Sequence, residues 1–299
     1  MGNVPPIDLP ARVPIQIPVR PDLFDHRFED RPVYPAVEAM EVLAGTVRTL
    51  RADAAVDALA DVRFDKFLPI PDGRQHLSVF CDVRSEGDGI RAEMQSRVRL
   101  PSGFTRNKIH ASARFEPAPV AEPDPGAGPR QLPDEDVFPV SAERLYRELV
   151  PFGKRFQTLI GDVALFSTEA RAVVRCPEKR PTPGRLLGNS FVLDGAFHAA
   201  CAWGQRFAGV VAFPVGIDKR RVLLPTRAQD RYSVRVLPTR TGSDLLVFAI
   251  EIADDSGKTR ERLEGVRMRD VSGGRWKPPD WIKKPSHAAD ARWRLPSGR

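Results

Sequence analysis

The segment DGAFHAACAWGQRFAG, residues 194–209, decides the fold. It predicts a helix so rich in Ala and Gly that it offers little bulk for packing on its own. Such a helix suits burial in a curved antiparallel sheet, because small side chains let the strands come close to its axis. The sheet is predicted directly after the helix, where four strand-like runs follow: RRVLLP, RYSVRVLP, LLVFAIEIADDSG and ERLEGVRMRDV.

The first half of the chain has the same order of elements. Residues 35–51, PAVEAMEVLAGTVRTLR, predict a helix with one apolar face, and Pro35 suits its first turn. The strand-like runs that follow are VDALADVRFDKFLPI, HLSVFCDV, IRAEMQSRVRL and NKIHASARF. The segments after the two helices, 63–83 and 216–237, share Asp-Lys, an apolar stretch with Pro, and an alternating strand. The chain therefore predicts a divergent repeat.

A stretch dense in Pro, Gly and acidic residues separates the two halves. It predicts an N-terminal half over 1–118, a linker over 119–136 and a C-terminal half over 137–275. Residues 276–299 are basic and lack periodicity, which predicts a flexible tail. Residues 1–22 predict an extended arm or an edge strand.

Composition and charge exclude several classes of protein. The chain of 299 residues has 46 Lys and Arg against 39 Asp and Glu, a net charge of +7. The charges are mixed along the chain and no zinc-finger, RNP or basic-region pattern occurs, so a nucleic acid partner is not predicted. The longest apolar stretch, 207–217, is too short for a bilayer, which takes about 20 residues, and the first residues lack the apolar core of a signal peptide.

Three cysteines, Cys81, Cys176 and Cys201, are far apart and form no CxxC pair. This spacing argues against a disulfide framework and against a zinc site. It fits the reducing environment of the cytoplasm, which is the predicted location. The histidines show no HExxH or other metal-ligand spacing, so no metal is predicted.

Two segments hold candidate catalytic residues. In DHRFEDRPVYPAVEAME, 25–41, His26 stands shortly before a helix and is either a base near free N–H groups or a packing histidine. In FVLDGAFHAACAWG, Asp194 follows three apolar residues and is placed in the first turn of the helix, with His198 one turn later on the same face. Asp194 is either an N-cap or an acid in an apolar setting, and His198 is either its partner or a core histidine.

These residues match, in order, the motifs of a known family. The sequence resembles the dehydratase domains of modular polyketide synthases, whose first half carries HxxxGxxxxP and whose second half carries DxxxQ or DxxxH. His26, Asp30 and Pro35 stand at the first spacing. Asp194 and His198 stand at the second.

A third motif strengthens the likeness. The stretch PFGKRFQ resembles the family's YGPxFQ motif and places Phe152, Gly153, Phe156 and Gln157 at its positions. DVRFDKFLPIP and FPVGIDKRRVLLP resemble the strands after the two helices, so the likeness covers residues 20–270. The resemblance implies an α+β double hot-dog fold, with two tandem halves that each wrap a curved antiparallel sheet around a long helix.

The sequence departs from the family pattern at three places. The motif glycine is Asp30, which keeps a backbone N–H for the thioester carbonyl but loses freedom at positive φ. The motif tyrosine is Phe152, so a hydroxyl is missing, and the usual Pro-Gly before the first helix is Pro35-Ala36. These changes leave the histidine and the aspartate in place.

The resemblance implies elimination of water from a 3-hydroxyacyl thioester by a hydro-lyase. His26 would be the base, Asp194 an acid whose pKa is raised by its apolar setting, and His198 the residue that orients it. The start of the 35–51 helix, with the amides just before it, would polarise the carbonyl. Substrate-binding positions carried over from the family are Asp30, Tyr34, Pro35, Phe152, Gly153, Phe156 and Gln157.

The implied substrate is carried on the phosphopantetheine of an acyl carrier protein or of coenzyme A, in polyketide or fatty-acid-like biosynthesis. No metal, flavin or nicotinamide is implied. The expected partners are the carrier protein and other synthase domains, with no nucleic acid and no membrane, and a homodimer is compatible with the fold. Two alternatives stay open: the same fold as a double-bond isomerase or a product-template-like cyclase, and a non-catalytic acyl-binding domain.

Overall fold

Two buried helices, one in each half of the chain, organise the structure. The computed structural model describes residues 9–99, 102–117, 133–175 and 185–283. Its helices are α1 (Ala36–Leu50), α2 (Ala142–Glu148), α3 (Ser190–Trp203) and α4 (Asp280–Lys283). Its strands are β1 (Ala11–Pro18), β2 (Arg27–Phe28), β3 (Arg31–Pro32), β4 (Ala58–Phe64), β5 (His76–Glu86), β6 (Gly89–Arg99), β7 (Thr105–Phe115), β8 (Phe138–Ser141), β9 (Leu159–Leu165), β10 (Ala170–Arg175), β11 (Phe213–Val222), β12 (Arg231–Thr241), β13 (Leu246–Asp254) and β14 (Thr259–Arg269).

Helix α3 is buried along its whole length and contacts strands on several sides, as its composition predicts. It begins four residues before the predicted start, because the side chain of Asn189 accepts the N–H of Phe191 at 3.0 Å and caps the helix there. Asp194 therefore lies in the second turn, and its predicted place in the first turn is wrong. The helix continues into a π-helical turn, Gly204–Ala208.

Helix α1 agrees closely with the predicted 35–51. Pro35 precedes its first turn in an extended conformation that suits proline. The apolar face, which includes Met40, Leu43 and Val47, is completely buried against strands β5, β6 and β7. Each such side chain contributes about 1.5–3 kcal/mol on leaving water, so this face holds the helix inside the sheet.

Twelve of the fourteen strands in the described residues form one antiparallel sheet, and β2 and β3 form a separate hairpin. The order of the twelve is β1-β5-β6-β7-β4-β11-β14-β13-β12-β10-β9-β8. The first strand after each helix stands at the centre, where β4 pairs with β11 from Arg63↔Gly216 to Ala58↔Arg221. Outward from this seam, β7, β6 and β5 on one side correspond to β14, β13 and β12 on the other. The predicted repeat of one helix followed by four strands is thus present in both halves.

The segments outside the repeat agree with their prediction in part. Residues 11–18 form the predicted edge strand, β1, which pairs with β5. Most of the predicted linker, 119–132, lies outside the described residues, but Glu135 accepts the N–H of Ser167 at 3.0 Å and is packed. The predicted flexible tail is wrong for 276–283, which packs on the body of the protein, and 284–299 lies outside the described residues.

Membrane-spanning helices and clusters of metal ligands are both absent from the described part of the chain. There, no helix is long and apolar enough to cross a membrane. Likewise, no group of three metal-ligating side chains occurs within the described ranges. Cys81 and Cys201 are buried free thiols, and Cys176 lies outside the described residues.

Candidate active site

A cavity of about 910 Å³ lies between the two halves and is lined by residues of both. The first half contributes residues of the segment before α1, the start of α1 and the end of β4. The second half contributes the face of α3 and the segment after β14. The cavity brings together all three predicted catalytic side chains, His26, Asp194 and His198.

The backbone fixes the protonation pattern of His26. The residue follows a 3₁₀ helix, Pro21–Asp25, and precedes the small hairpin formed by β2 and β3. Its Nδ1 lies 2.9 Å from the carbonyl oxygen of Val33, which only accepts, so Nδ1 carries a proton and donates it. The N–H of Val33 donates back to the carbonyl of His26 at 2.9 Å. Nε2 is therefore left with its lone pair, as a base requires.

Two aromatic rings from the second half hold the His26 imidazole. Phe152 stacks on it with 4.6 Å between ring centroids, and Phe156 lies at 5.0 Å. Burial lowers the pKa of His26 below its ordinary 6.5, and the nearby carboxylate of Asp194 opposes this only in part. The imidazole is consequently neutral at neutral pH and available as a base.

Asp194 and His198 face each other on α3. Nε2 of His198 lies 3.0 Å from Oδ2 of Asp194, with an approach direction outside hydrogen-bond geometry, and both side chains are buried. Burial raises the pKa of Asp194, but the imidazoles of His198 and His26 outweigh it and lower the pKa below the usual value. The predicted raised pKa is therefore wrong, because two imidazoles adjoin a carboxyl group that the sequence shows only among apolar residues.

A buried tyrosine on α2 contacts His198 at the ring nitrogen that does not face Asp194. The hydroxyl of Tyr146 lies 3.2 Å from Nδ1 of His198. Sequence analysis did not single out this residue. Its signal was weak, since Tyr146 stands as one apolar-face residue of the short helix SAERLYRELV before the PFGKRFQ motif.

Gly153 joins the motif loop of the second half to the segment that carries His26. Its N–H donates to the carbonyl of Asp25 at 2.9 Å, and the N–H of Arg155 donates to the Asp25 carboxylate at 3.0 Å. A Cβ atom at Gly153 would stand 2.3 Å from Cγ and 2.6 Å from Cβ of Asp25. Only glycine fits here, so the glycine of the motif serves the joint between the halves.

Replacement of Gly153 by alanine is expected to destabilise the protein by about 1–3 kcal/mol, because overpacking forces the backbone apart. It should also separate Phe152 from His26 and lower activity. Urea unfolding measures the first effect. Gly45→Ala is the matched control, since a Cβ atom at Gly45 on α1 meets nothing within 4 Å. Equal stability of Gly153→Ala and the unchanged protein would contradict the proposed joint.

The remaining predicted binding residues divide into two groups. Tyr34 and Phe152 line the cavity. The others lie outside its lining, and their predicted direct contact with substrate is not supported by these positions: Asp30, Pro35, Gly153, Phe156 and Gln157. Phe156 acts through His26, and Gln157 donates to the carbonyl of Phe152 at 2.8 Å.

Asp30 has a different position from the one implied. Glu29 and Asp30 form the two-residue turn between β2 and β3, at φ 49° and 60°, which is the left-handed conformation that favours glycine. Asp30 is exposed, and its backbone carbonyl oxygen accepts a hydrogen bond from the Arg27 guanidinium at 3.1 Å. Asp30 therefore determines the turn of the hairpin after His26 and does not line the cavity.

The start of α1 offers one N–H to the cavity. The amides of Val33 and Tyr34 already donate to the carbonyls of His26 and Leu68, at 2.9 and 2.8 Å, so the predicted role of amides before the helix is wrong. The first N–H groups of a helix have no acceptor within it. Ala36 is the first residue of α1 and lines the cavity, which makes its N–H the candidate donor to a substrate carbonyl.

A buried carboxylate ties the starts of α1 and α3 together. Glu38 accepts hydrogen bonds from Ser190 and from Arg185, each at 2.7 Å, and lies 3.3 Å from Arg20. Because Glu38 belongs to the first half and Ser190 begins α3, this network sets how the halves face each other. It thereby helps to place Asp194 opposite His26.

A cluster of aromatic side chains lines part of the cavity. Phe28 contacts Phe67, Trp276 and Phe213 with ring centroids 4.6, 5.1 and 5.4 Å apart. Trp276 belongs to the segment predicted as a flexible tail. That segment is held by Arg206, which donates to the carbonyl of Ile282 at 2.6 Å. It lines the cavity through Trp276 and Pro278, which add an apolar surface that the basic composition of the tail concealed.

Comparisons with known proteins agree with this architecture. A family model described as the polyketide synthase dehydratase N-terminal domain matches residues 124–276. The matched segment contains Asp194 and His198, whereas His26 lies before it. No match was found among curated proteins.

Solved structures resemble the chain over most of its length. The dehydratase domain from the CurF module of curacin polyketide synthase is 19% identical, with a TM-score of 0.71 over 89% of this chain and 95% of that chain. A dehydratase domain of a mycocerosic acid synthase-like polyketide synthase is 16% identical, with a TM-score of 0.68 over 89% and 94%. The dehydratase domain of PpsC from Mycobacterium tuberculosis, in complex with C12:1-CoA, is 18% identical, with a TM-score of 0.65 over 86% and 92%.

Two helix-in-sheet halves that share one cavity, with a histidine from the first half and an aspartate from the second, define a double hot-dog protein. The predicted fold class is confirmed by the likeness to these structures. The family match over half the chain makes the assignment narrower. The chain belongs to the polyketide synthase dehydratase family.

Proposed function

We propose that the protein eliminates water from a 3-hydroxyacyl thioester to give an α,β-unsaturated acyl thioester. The observation that carries the proposal is the pairing of His26, neutral and with Nε2 free, with Asp194 across one cavity. An elimination of this kind needs a base for the α-proton and an acid for the hydroxyl group on the neighbouring carbon. Two proton-transfer groups from opposite halves meet that need.

The first step removes the α-proton. His26 takes it on Nε2, while the N–H of Ala36 stabilises the negative charge that develops on the thioester oxygen. Stacking by Phe152 and Phe156 and the hydrogen bond to Val33 keep the imidazole in one orientation. A fixed orientation supplies part of the rate by holding base and substrate in reacting geometry.

The second step expels the hydroxyl group as water. Asp194 donates a proton to the β-oxygen, the C–O bond breaks and the electron pair left at the α-carbon forms the double bond. Afterwards His26 carries the abstracted proton and Asp194 is a carboxylate. Transfer of that proton to Asp194 restores both groups, so the cycle consumes no other reagent and uses no metal, flavin or nicotinamide.

Substrate binding is what allows Asp194 to hold a proton. The lowered pKa of Asp194 comes from its interactions with the imidazoles of His198 and His26. His26 is neutral when it acts as base, and an acyl chain in the cavity displaces water from the carboxyl group. Under these conditions burial, which raises the pKa of a carboxyl group, is opposed only by His198.

The cavity suits an acyl chain on a phosphopantetheine arm. Aromatic and aliphatic side chains dominate its lining, and Arg27, Lys66 and Lys277 add positive charge that suits a phosphate. The similar PpsC domain is described in complex with an unsaturated acyl-CoA, C12:1-CoA, which supports this substrate class. A net charge of +7 suits an acidic acyl carrier protein, with other synthase domains as further partners.

Incubation with 3-hydroxyacyl and α,β-enoyl thioesters of graded chain length tests the proposal. Mass spectrometry should show loss of one water in one direction and gain of one water in the other. Both directions are needed because the reaction is reversible, and its equilibrium can hide turnover in one direction. Absence of any mass change over the series, with intact folded protein, would refute the dehydratase assignment.

One observation favours a second candidate, movement of a double bond. Phe152 replaces the motif tyrosine and packs between His26 and His198, at 4.6 and 5.1 Å between ring centroids, so no hydroxyl from this position assists a leaving group. Isomerisation uses the same base and needs no leaving group. It is recognised in the same experiment by an enoyl thioester whose ultraviolet spectrum and retention change while its mass stays constant.

A further inference from the structure

Tyr146 places its hydroxyl at the meeting point of three polar groups. The side chain is buried on α2, which Ser141 caps by accepting the N–H of Arg144. The phenolic oxygen lies 2.9 Å from the backbone nitrogens of both Thr158 and Leu159. It also lies 3.2 Å from Nδ1 of His198.

The count of protons and lone pairs leaves one arrangement. A tyrosine hydroxyl has one proton and two lone pairs. The two backbone N–H groups can only donate, so they occupy the lone pairs of the Tyr146 oxygen. Its single proton is then directed at Nδ1 of His198, which must accept. Burial raises the pKa of Tyr146 well above its ordinary value, so this proton stays in place.

An accepting Nδ1 determines the other side of the His198 ring. A neutral imidazole has one N–H, so the proton of His198 resides on Nε2, the nitrogen 3.0 Å from Oδ2 of Asp194. A charged ring would require Nδ1 to donate to an oxygen whose lone pairs are already used. His198 thus presents its N–H to the carboxyl group at 3.0 Å and has no lone pair left to act as a base.

We propose that Tyr146 is a positioning residue that fixes His198 as the Nε2–H tautomer, so that this N–H faces Oδ2 of Asp194 and leaves Oδ1 to serve the substrate. This role rests on the proposed function for its effect on rate. The protonation pattern itself does not depend on which reaction the site performs.

The same network connects the acid to the motif loop. Thr158 donates its side-chain hydroxyl to the carbonyl of Phe191 on α3 at 3.3 Å, while its backbone N–H donates to Tyr146. The loop that carries Phe152 and Phe156 against His26 is therefore also fixed to the helix of Asp194. Phe152 has no hydroxyl group. The hydroxyl of Tyr146 therefore acts on Asp194 indirectly, by its contact with His198.

Nitrogen-15 NMR of the histidine rings tests the tautomer in the unchanged protein. His198 is expected to show a protonated Nε2 and an unprotonated Nδ1 in the folded protein. In Tyr146→Phe the Nδ1 signal should move, because that nitrogen loses its donor. Tyr232→Phe is the matched control: Tyr232 is equally buried and its hydroxyl also accepts a backbone N–H, from Arg227 at 2.6 Å, but it stands apart from His198. A protonated Nδ1 in the unchanged protein would overturn the proposal.

Kinetics separate positioning from mere packing. Tyr146→Phe is expected to lower kcat by about 10²-fold with little change in KM, since a misplaced catalytic group costs about that much. His198→Gln should keep most of the rate, because an amide oxygen accepts from Tyr146 and an amide N–H donates to Asp194. His198→Leu should not. Equal loss in His198→Gln and His198→Leu would overturn the relay.

Failure of the proposed function is distinguishable from failure of this inference. If the unchanged protein acts on no thioester but its His198 ring shows the Nε2–H tautomer, the dehydratase assignment fails and the positioning by Tyr146 stands. If the protein eliminates water but Tyr146→Phe leaves both the ring signals and the rate unchanged, the inference fails and the proposed function stands.

Discussion

Replacement of His26 by phenylalanine is expected to abolish elimination while preserving the fold. The phenyl ring keeps the stacking contacts that Phe152 and Phe156 make with the imidazole, at 4.6 and 5.0 Å. It has no lone pair for the α-proton, and loss of a positioned base costs about 10²–10⁴-fold in rate. The measurement is kcat/KM for a 3-hydroxyacyl thioester, followed through formation of the enoyl product.

The folded state of this variant needs its own measurement, because the carbonyl of Val33 loses the donor Nδ1. A lost hydrogen bond of this kind costs about 0.5–1.5 kcal/mol, which a folded domain of this size tolerates. His76→Phe is the matched control, since His76 is exposed at the start of β5. Activity of His26→Phe within tenfold of the unchanged protein would rule out His26 as the base.

The same assignment fixes the sign of the pH dependence. A base must be neutral, so activity is lost as pH falls through the pKa of His26. Burial lowers that pKa, and the acid limb of kcat/KM is therefore expected at a midpoint below the ordinary 6.5. Removal of Asp194, whose carboxylate raises the pKa of His26, should move the midpoint further down. An acid limb above 6.5 would contradict a buried imidazole base.

The fold was predictable because each half of the repeat shows its helix and strands in the local pattern of apolar and polar residues. Each half shows a helix of distinctive composition followed by four strands, and hydrophobic periodicity detects both. The start of α3 was missed because Asn189 caps it within a stretch where Asp194 looked an equally good cap. The packed segment after β14 was missed because Trp276 gains its partners, Phe28 and Phe213, only through tertiary contact.

The site was predictable in its members and less so in its electrostatics. His26, Asp194 and His198 follow from motif spacing, and the structure places them around one cavity. The direction of the Asp194 pKa depends on which groups face it, which spacing along one chain does not reveal. The same holds for Tyr146, whose role arises from two backbone amides and one imidazole that meet at its hydroxyl.

Replacement of Asp194 by asparagine is expected to stop elimination for a different reason. The amide oxygen of asparagine can take the place of Oδ2 beside Nε2 of His198, so the volume of the side chain is kept. It has no proton to give, and hydroxide is a poor leaving group. The expected loss in kcat is about 10²–10⁴-fold for the 3-hydroxyacyl thioester. Asp254→Asn is the control, because Asp254 ends β13 and its carboxylate accepts the backbone N–H groups of Ser256 and Lys258.

A change of leaving group then separates the acid from the base. A 3-chloroacyl thioester releases chloride, which needs no proton, so Asp194→Asn should eliminate it at close to the rate of the unchanged protein. His26→Phe should fail with both substrates, because each still has an α-proton to lose. If chloride release is as impaired in Asp194→Asn as water release, Asp194 does more than donate a proton. The carboxyl group would then act on the α-proton or on the placement of His26, and the division of roles between the two halves would have to be redrawn.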